Sequence, residues 1–234
     1  MHLVYAEHSF PDRVTKSIFL AGPTPRSELV ESWRGRAVEI LQAAGYDGTV
    51  YIPEPSNGKW RTNYDGQVLW EQGARLRADR IVFWVPRDIA GGMPAFTTNV
   101  EFGADYTNGR SLYGRPDGAE KIRYLDVLYT QETGSSPYTS LESLLDAAIT
   151  ELGEGATRHG VDASIPLDVW KHPEFQRFRS SCEDGGRKIL AFQTNDRAFW
   201  GDNPCALRAN VRIEDAGTVE TGYVVLRGAA HVSV

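Results

Sequence analysis

The sequence predicts an α/β protein: a doubly wound parallel sheet followed by a small, partly β appendage at the C-terminus. Three observations predict it. Short apolar runs alternate with amphipathic segments through residues 1–152. One run, Ile81-Val82-Phe83-Trp84-Val85, is apolar throughout, as a strand covered on both faces must be. The connections are short, and strand–helix repetition with short connections produces right-handed βαβ units. Together they define a flavodoxin- or Rossmann-like sheet.

Each element has its own signal. Ser17-Ile18-Phe19-Leu20-Ala21 is an apolar run stopped by Gly22-Pro23. From Glu28 to Ala44, Leu29, Trp33, Ala37, Ile40 and Leu41 recur at helical spacing, with Gly45 as the stop. Val50-Tyr51-Ile52 is a second strand, closed by Pro53 and Pro55. Val68, Leu69, Gln72 and Leu76 keep a helical rhythm over Asp65 to Arg77. After the strand at Ile81, a loop rich in Gly and Pro (Pro86 to Pro94) leads to a helix from Thr98 to Tyr106. Lys121-Ile122-Arg123-Tyr124-Leu125 reads as a fourth strand, and Leu141 to Leu152 as a helix with an apolar stripe.

Gly153-Glu154-Gly155 marks a break, which places the appendage at 153–234. There Ile165 to Phe178 reads as a helical piece, followed by strand-like runs at Ile189–Phe192, Ala209–Ile213 and Val219–Leu226. The sequence stops at His231-Val232-Ser233-Val234, inside a strand-like pattern. That points to a longer parent chain or to a strand completed by a partner.

Composition narrows the function classes. Hydrophobic residues make up 41% and charged residues 24% of the 234, enough to bury a core. The formal net charge of −6 gives the surface as a whole no attraction for a nucleic acid polymer or an anionic membrane. Cys182 and Cys205 form no C-x-x-C pair, which argues against a disulfide framework and a cysteine-rich zinc site. His2, His8, His159, His172 and His231 are scattered, so no metal constellation and no cofactor is expected. MHLVYAEHSF does not read as a secretory signal, and no apolar stretch has the length of a membrane span. A reducing cytoplasm is the expected setting.

In an open α/β sheet, ligands bind beyond the carboxyl ends of the strands. The polar residues following each apolar run are therefore the candidates. These are Gly22, Pro23, Thr24 and Arg26 after the first strand, and Glu54, Ser56 and Asn57 after the second. Arg87 and Asp88 follow the third, ahead of Thr97, Thr98, Asn99 and Glu101. Asp79 precedes its strand, at the opposite end of the sheet. Thr98-Asn99-Val100-Glu101 fits a helix capping box, as does Thr139-Ser140-Leu141-Glu142. A carboxylate in a first helical turn is also stabilised as an anion by the helix dipole, and an ionised carboxylate is what attack on an anomeric carbon requires. Asp88 is a second carboxylate for such chemistry, and Gly103 leaves room for close approach. Trp33, Tyr64, Trp70, Trp84 and Phe96 divide between core and walls for a nucleobase. No Walker or G-x-G-x-x-G motif occurs, which removes nucleoside triphosphate hydrolysis and dinucleotide binding.

Ser17-Ile18-Phe19-Leu20-Ala21-Gly22-Pro23, Ala78-Asp79-Arg80-Ile81-Val82 and Asn99-Val100-Glu101-Phe102-Gly103 resemble the nucleoside 2-deoxyribosyltransferase superfamily, in its less characterised second branch. The resemblance covers about residues 1–150. It implies that Glu101 attacks C1′ of a nucleoside or nucleotide to form a glycosyl-enzyme, resolved by water or a second base. It implies roles for Asp79 and Asp88 in holding the sugar and protonating the base. Gly22 and Pro23, backed by Thr24, Arg26 and Asn99, would bind substrate, and a homo-oligomer is expected. Val169-Trp170, Phe175-Gln176 and the run from Ala209 resemble the lead-in to a Nudix domain, without the Nudix box. The competing expectation is a non-catalytic nucleotide-sensing module in which Glu101 is only a cap.

Overall fold

The computed structural model describes residues 1–26, 29–58, 64–200 and 203–227, with backbone only at 193–200, 203–208, 223, 225 and 227. In chain order, the elements begin with β1 (His2–Tyr5), β2 (Arg13–Val14), β3 (Ser17–Ala21), α1 (Trp33–Ala43), β4 (Thr49–Ile52) and α2 (Tyr64–Arg77). Next come β5 (Arg80–Trp84), α3 (Phe96–Asp105), β6 (Ser111–Gly114), α4 (Arg123–Thr133) and α5 (Leu141–Leu152). The rest holds β7 (Arg158–His159), α6 (Leu167–Trp170), α7 (Pro173–Asp184), β8 (Lys188–Trp200), β9 (Asn203–Asp215) and β10 (Thr218–Arg227). The chain divides into two compact units, Met1–Phe10 with Lys16–Glu154, and Pro11–Thr15 with the chain from Gly155.

The first unit is built on a parallel sheet in the order β1-β4-β3-β5-β6. β3 and β5 are its central pair, and every residue of both is buried. Alternate residues serve opposite faces. Phe19, Ala21, Tyr51, Phe83 and Tyr113 meet Trp70 and Ala74 of α2, Phe102 of α3, and Leu125 and Tyr129 of α4. On the other face α5 packs against β5 and β6 and against α1. From β3 the chain passes through α1 to one neighbour, β4, and then through α2 to the other, β5. That reversal opens a crevice between the carboxyl ends of β3 and β5, the place where sheets of this type bind ligands.

The structure differs from the sequence expectation at several elements. Lys121–Leu125 is not a strand. Ile122, Leu125 and Tyr129 are buried while Tyr124 is 73% exposed, a three-to-four-residue period that belongs to the start of α4. The strand is β6 instead, only four residues long and opened by Ser111. β1 is an additional edge strand, paired in register with β4. The expected first helix is shorter: Ser32 caps α1 by accepting a bond from the Arg34 N–H, and Leu29 is 96% exposed. Glu28 lies outside the described residues. On α2 the buried side chains are Gln67, Trp70 and Ala74, whereas Leu69 is 68% exposed. Trp70 decides that rotation, because its ring stacks on Phe10 at 5.5 Å.

The second unit is a three-stranded antiparallel sheet in the order β10-β9-β8, with β2 and β7 forming a separate short pair. The three strand-like runs fall on these three strands. The helical piece from Ile165 is two helices, divided at His172-Pro173, where Pro173 opens α7. Ile165, Val169, Phe175, Phe192, Ala209, Val211 and Leu226 form the core of this unit. The run His231–Val234 lies outside the described residues.

Candidate active site

A cavity of about 320 Å³ occupies the crevice, a volume suited to a small ligand. The loop after β3 supplies Gly22, Pro23, Thr24, Pro25 and Arg26 to its wall. Pro53 follows β4, and Pro94, Ala95, Phe96, Thr97 and Glu101 come from the end of the β5 loop and from α3. Helix α2 contributes Tyr64, Gln67, Val68 and Glu71.

Arg34, reaching across from α1, holds the β3 loop in place. Its Nε donates to Leu20 O at 3.0 Å, and its Nη2 donates to Gly22 O at 2.6 Å. Nη1 donates to Glu54 Oε1 at 2.7 Å, Thr24 Oγ1 at 3.2 Å and Pro23 O at 3.3 Å. The side chain is 2% exposed, so its charge is compensated within the protein and it acts as a fastener. Trp33 Nε1 donates to the same Pro23 carbonyl at 3.1 Å. Gly22 has φ +148°, and a Cβ there would lie 2.1 Å from the Trp84 carbonyl and 2.9 Å from the Trp33 ring. Only glycine lets the two central strands close up at this point.

On the opposite wall, α2 and α3 present acidic groups to one another. Glu71 and Glu101 are neighbours in the cavity wall. Burial pushes the Glu101 carboxyl up to about 7, and the neighbouring Glu71 pushes in the same direction; Arg75 and Arg34 oppose both. A carboxylate beside Glu101 in this partly buried wall disfavours the ionisation of Glu101. Gln67, one turn before Glu71, donates from Nε2 to Glu71 Oε1 at 2.7 Å and to Pro53 O at 3.3 Å.

The capping-box expectation for Thr98–Glu101 does not hold. Helix α3 starts at Phe96, after Ala95 turns the chain with φ 57°. Glu101 therefore stands in the second turn, beyond the strongest influence of the helix dipole. Its environment favours the neutral form, the opposite of the expected stabilised anion. The second box is displaced as well: Ser140, not Thr139, caps α5 by accepting from the Ser143 N–H. A Cβ on Gly103 would meet nothing within 4 Å, so that glycine permits no close approach.

Of the sequence candidates, Gly22, Pro23, Thr24, Arg26 and Glu101 come together around the cavity. Asp88 does not. It is exposed, its Oδ1 accepts from the Gly91 N–H at 2.6 Å, and its backbone pairs with Met93. Asp79 is fully buried at the amino end of β5, where its N–H donates to Ser17 Oγ at 3.1 Å. Asn99 is exposed and accepts a hydrogen bond from Arg87 Nη2. Trp33, Trp70 and Trp84 are core, while Tyr64 and Phe96, 66% and 63% exposed, flank the cavity. The residues missed by sequence reasoning are Arg34, Gln67 and Glu71. The signal for Gln67 and Glu71 was a polar stripe at i, i+4 spacing, Gln67-Glu71-Arg75, facing a second one, Glu101-Asp105, whereas Arg34 on α1 had no such signal. Among the described residues no cluster of His, Cys, Asp and Glu is placed to hold a metal ion, and no helix is long and apolar enough to cross a membrane.

Fold and site together define a parallel α/β unit with a small-molecule pocket at its switch point and a carboxyl pair in the wall. Residues 15–119 match the family described as nucleoside 2-deoxyribosyltransferase like. The matched stretch contains Gly22, Glu71 and Glu101 and is similar to that family. No curated protein matches the chain.

Proposed function

We propose that the protein cleaves or exchanges the N-glycosidic bond of a nucleoside or nucleotide through a glycosyl-enzyme intermediate on Glu101, with Glu71 as the acid and base. The observation that carries this reading is the Glu71–Glu101 carboxyl pair in the pocket wall. Retaining glycosyl transfer needs two carboxyl groups, one as nucleophile and one to handle the proton, set about 5 Å apart around the sugar. Here the two are close neighbours, so an entering sugar has to part them. Parting removes Glu71 from the side of Glu101, lets Glu101 ionise, and leaves the proton on Glu71.

Glu101 then attacks C1′ as the C1′–N bond breaks, and the bond's electron pair leaves with the base. Glu71 delivers its proton to the departing nitrogen. Water or a second base next attacks C1′ and displaces Glu101, and in either case Glu71 takes up the proton that the attacking group loses. The exposed rings of Tyr64 and Phe96 offer faces on which a base can stack. Leu69 and Val100, on the same two helices, are 68% and 75% exposed. Exposed apolar side chains on both helices are consistent with a homo-oligomer as the working form, and a reducing cytoplasm is its proposed setting.

The test is chromatographic. Wild type and Glu101→Gln are incubated with nucleosides, deoxynucleosides and their 5′-monophosphates, with and without a free base. Base released or exchanged by the wild type alone is the expected result. Nucleotide binding by the wild type with no turnover on any substrate would replace the enzyme by a sensing module.

A further inference from the structure

Below the Glu71–Glu101 pair lies a second contact between the same helices. Arg75 follows Glu71 by one turn of α2, and Asp105 follows Glu101 by one turn of α3. Arg75 Nη1 donates to Asp105 Oδ2 at 2.6 Å and lies 3.5 Å from the Glu101 backbone carbonyl. The ion pair is nearly dry, with side chains 12% and 16% exposed. The two helices thus form a ladder with a carboxyl–carboxyl rung at the pocket and an arginine–aspartate rung beneath it.

A buried ion pair is a poor source of stability, because desolvation offsets most of the attraction. Burial in fact pushes the Asp105 carboxyl up in spite of Arg75 beside it. The pair needs another reason to be here, and its geometry offers one. Arg75 Nε is buried without an acceptor, so the guanidinium has a donor to spare and Glu101 stands one turn away.

We propose that Arg75 and Asp105 are positioning residues for the carboxyl pair: Asp105 holds the guanidinium on the lower rung, where it acts on Glu101 through space without closing on its carboxylate. The consequence is a nucleophile that can shed its proton and yet stays unpaired. A guanidinium free to move would form a bidentate pair with Glu101 and occupy both oxygens needed for attack. The groups that face Glu101 are Glu71 and Arg75 from α2 and Arg34 from α1. Arg26, from the β3 loop, lines the same cavity. Arg34 is bound to Glu54 and three carbonyls, so Arg75 is the cation whose place a single partner decides.

The inference rests on Glu101 being the nucleophile, and its test is read without turnover. The side-chain carboxyl of Glu101 is titrated by carbon-13 NMR, its resonance assigned by its loss in Glu101→Gln. In Asp105→Asn the midpoint is expected to fall by about one pH unit as Arg75 closes on Glu101. In Asp105→Asn/Arg75→Gln, which removes both members of the ion pair, it is expected to rise above the wild-type value. A wild-type midpoint in both folded variants would overturn the proposal and leave the lower rung as packing. If Asp105→Asn does not fold, the double variant decides alone, and an unmoved midpoint there has the same meaning. Shifted midpoints in a protein that turns over no substrate would sink the glycosyl reading and leave the ladder standing.

Discussion

Glu71 and Glu101 stand on different helices, thirty residues apart in sequence, and meet as neighbours in the wall of the cavity. Carboxyls brought into contact away from water oppose each other's ionisation, and here burial adds to the effect on Glu101. Glu101 therefore holds its proton up to near neutral pH, in the wall of the cavity.

Glu101 sets a pH dependence of stability. Its carboxyl stands near 7 in the fold against 4.5 for the free side chain, so between those values the folded protein holds a proton that the unfolded chain has released. Its contribution is complete below pH 4.5 and is lost as pH rises through 7, by up to about 3 kcal/mol. Urea unfolding of wild type and Glu101→Gln across pH 4.5–8 reads the difference. The variant should gain on the wild type as pH rises, and parallel curves would refute the dry environment of Glu101.

Glu71→Gln removes the proton carrier but keeps the shape. The rate of base release should fall by about 100- to 10,000-fold, the range for loss of a general acid. A synthetic substrate whose base leaves readily as an anion should recover most of the loss. Equal loss on both substrates would assign Glu71 to binding instead.

Asp88→Asn should turn over substrate at the wild-type rate, because Asp88 is exposed and bonded to its own loop. A loss of tenfold or more in kcat/KM, about 1.4 kcal/mol, would mean that the loop after β5 closes over the ligand and brings Asp88 with it.

Arg34→Met should cost about 3–5 kcal/mol of stability in urea unfolding. It strips donors from the carbonyls of Leu20, Gly22 and Pro23 and takes the cation from Glu54.

Gly22→Ala should act on function more than on stability. The added Cβ can be accommodated only by moving the β3 loop away from Trp84, and a shift of about 1 Å in a binding loop costs on the order of 100-fold in kcat/KM. A crystal structure of the variant with the loop unmoved would contradict this.

Much of the fold was legible because its cause is local. A strand buried on both faces has to be apolar residue after residue, and Ser17–Ala21 and Ile81–Val85 could hardly be read otherwise. Leu141–Leu152 is as plain for a different reason, an apolar stripe at helical spacing. Lys121–Leu125 misled because five residues are too few to separate a period of two from one of three to four. The buried Tyr129, four residues beyond Leu125, resolves it. β6 escaped notice since four residues opened by a serine carry little apolar signal.

The site divides along the same line. Strand polarity and chain order are properties of the chain, so the gathering of polar residues after β3 and β5, Glu101 among them, is readable from the residues alone. Which carboxyl stands beside Glu101 is set by helix packing. Gln67, Glu71 and Arg75 look locally like a solvated helix face, and Asp79 and Asp88 look like better partners on the page. The packing of α2 against α3 turns that polar stripe inward, while the reach of β5 holds Asp79 at the far end of the sheet. Contact and desolvation, which give Glu101 its affinity for a proton, arise between segments distant in sequence, and no local pattern encodes them.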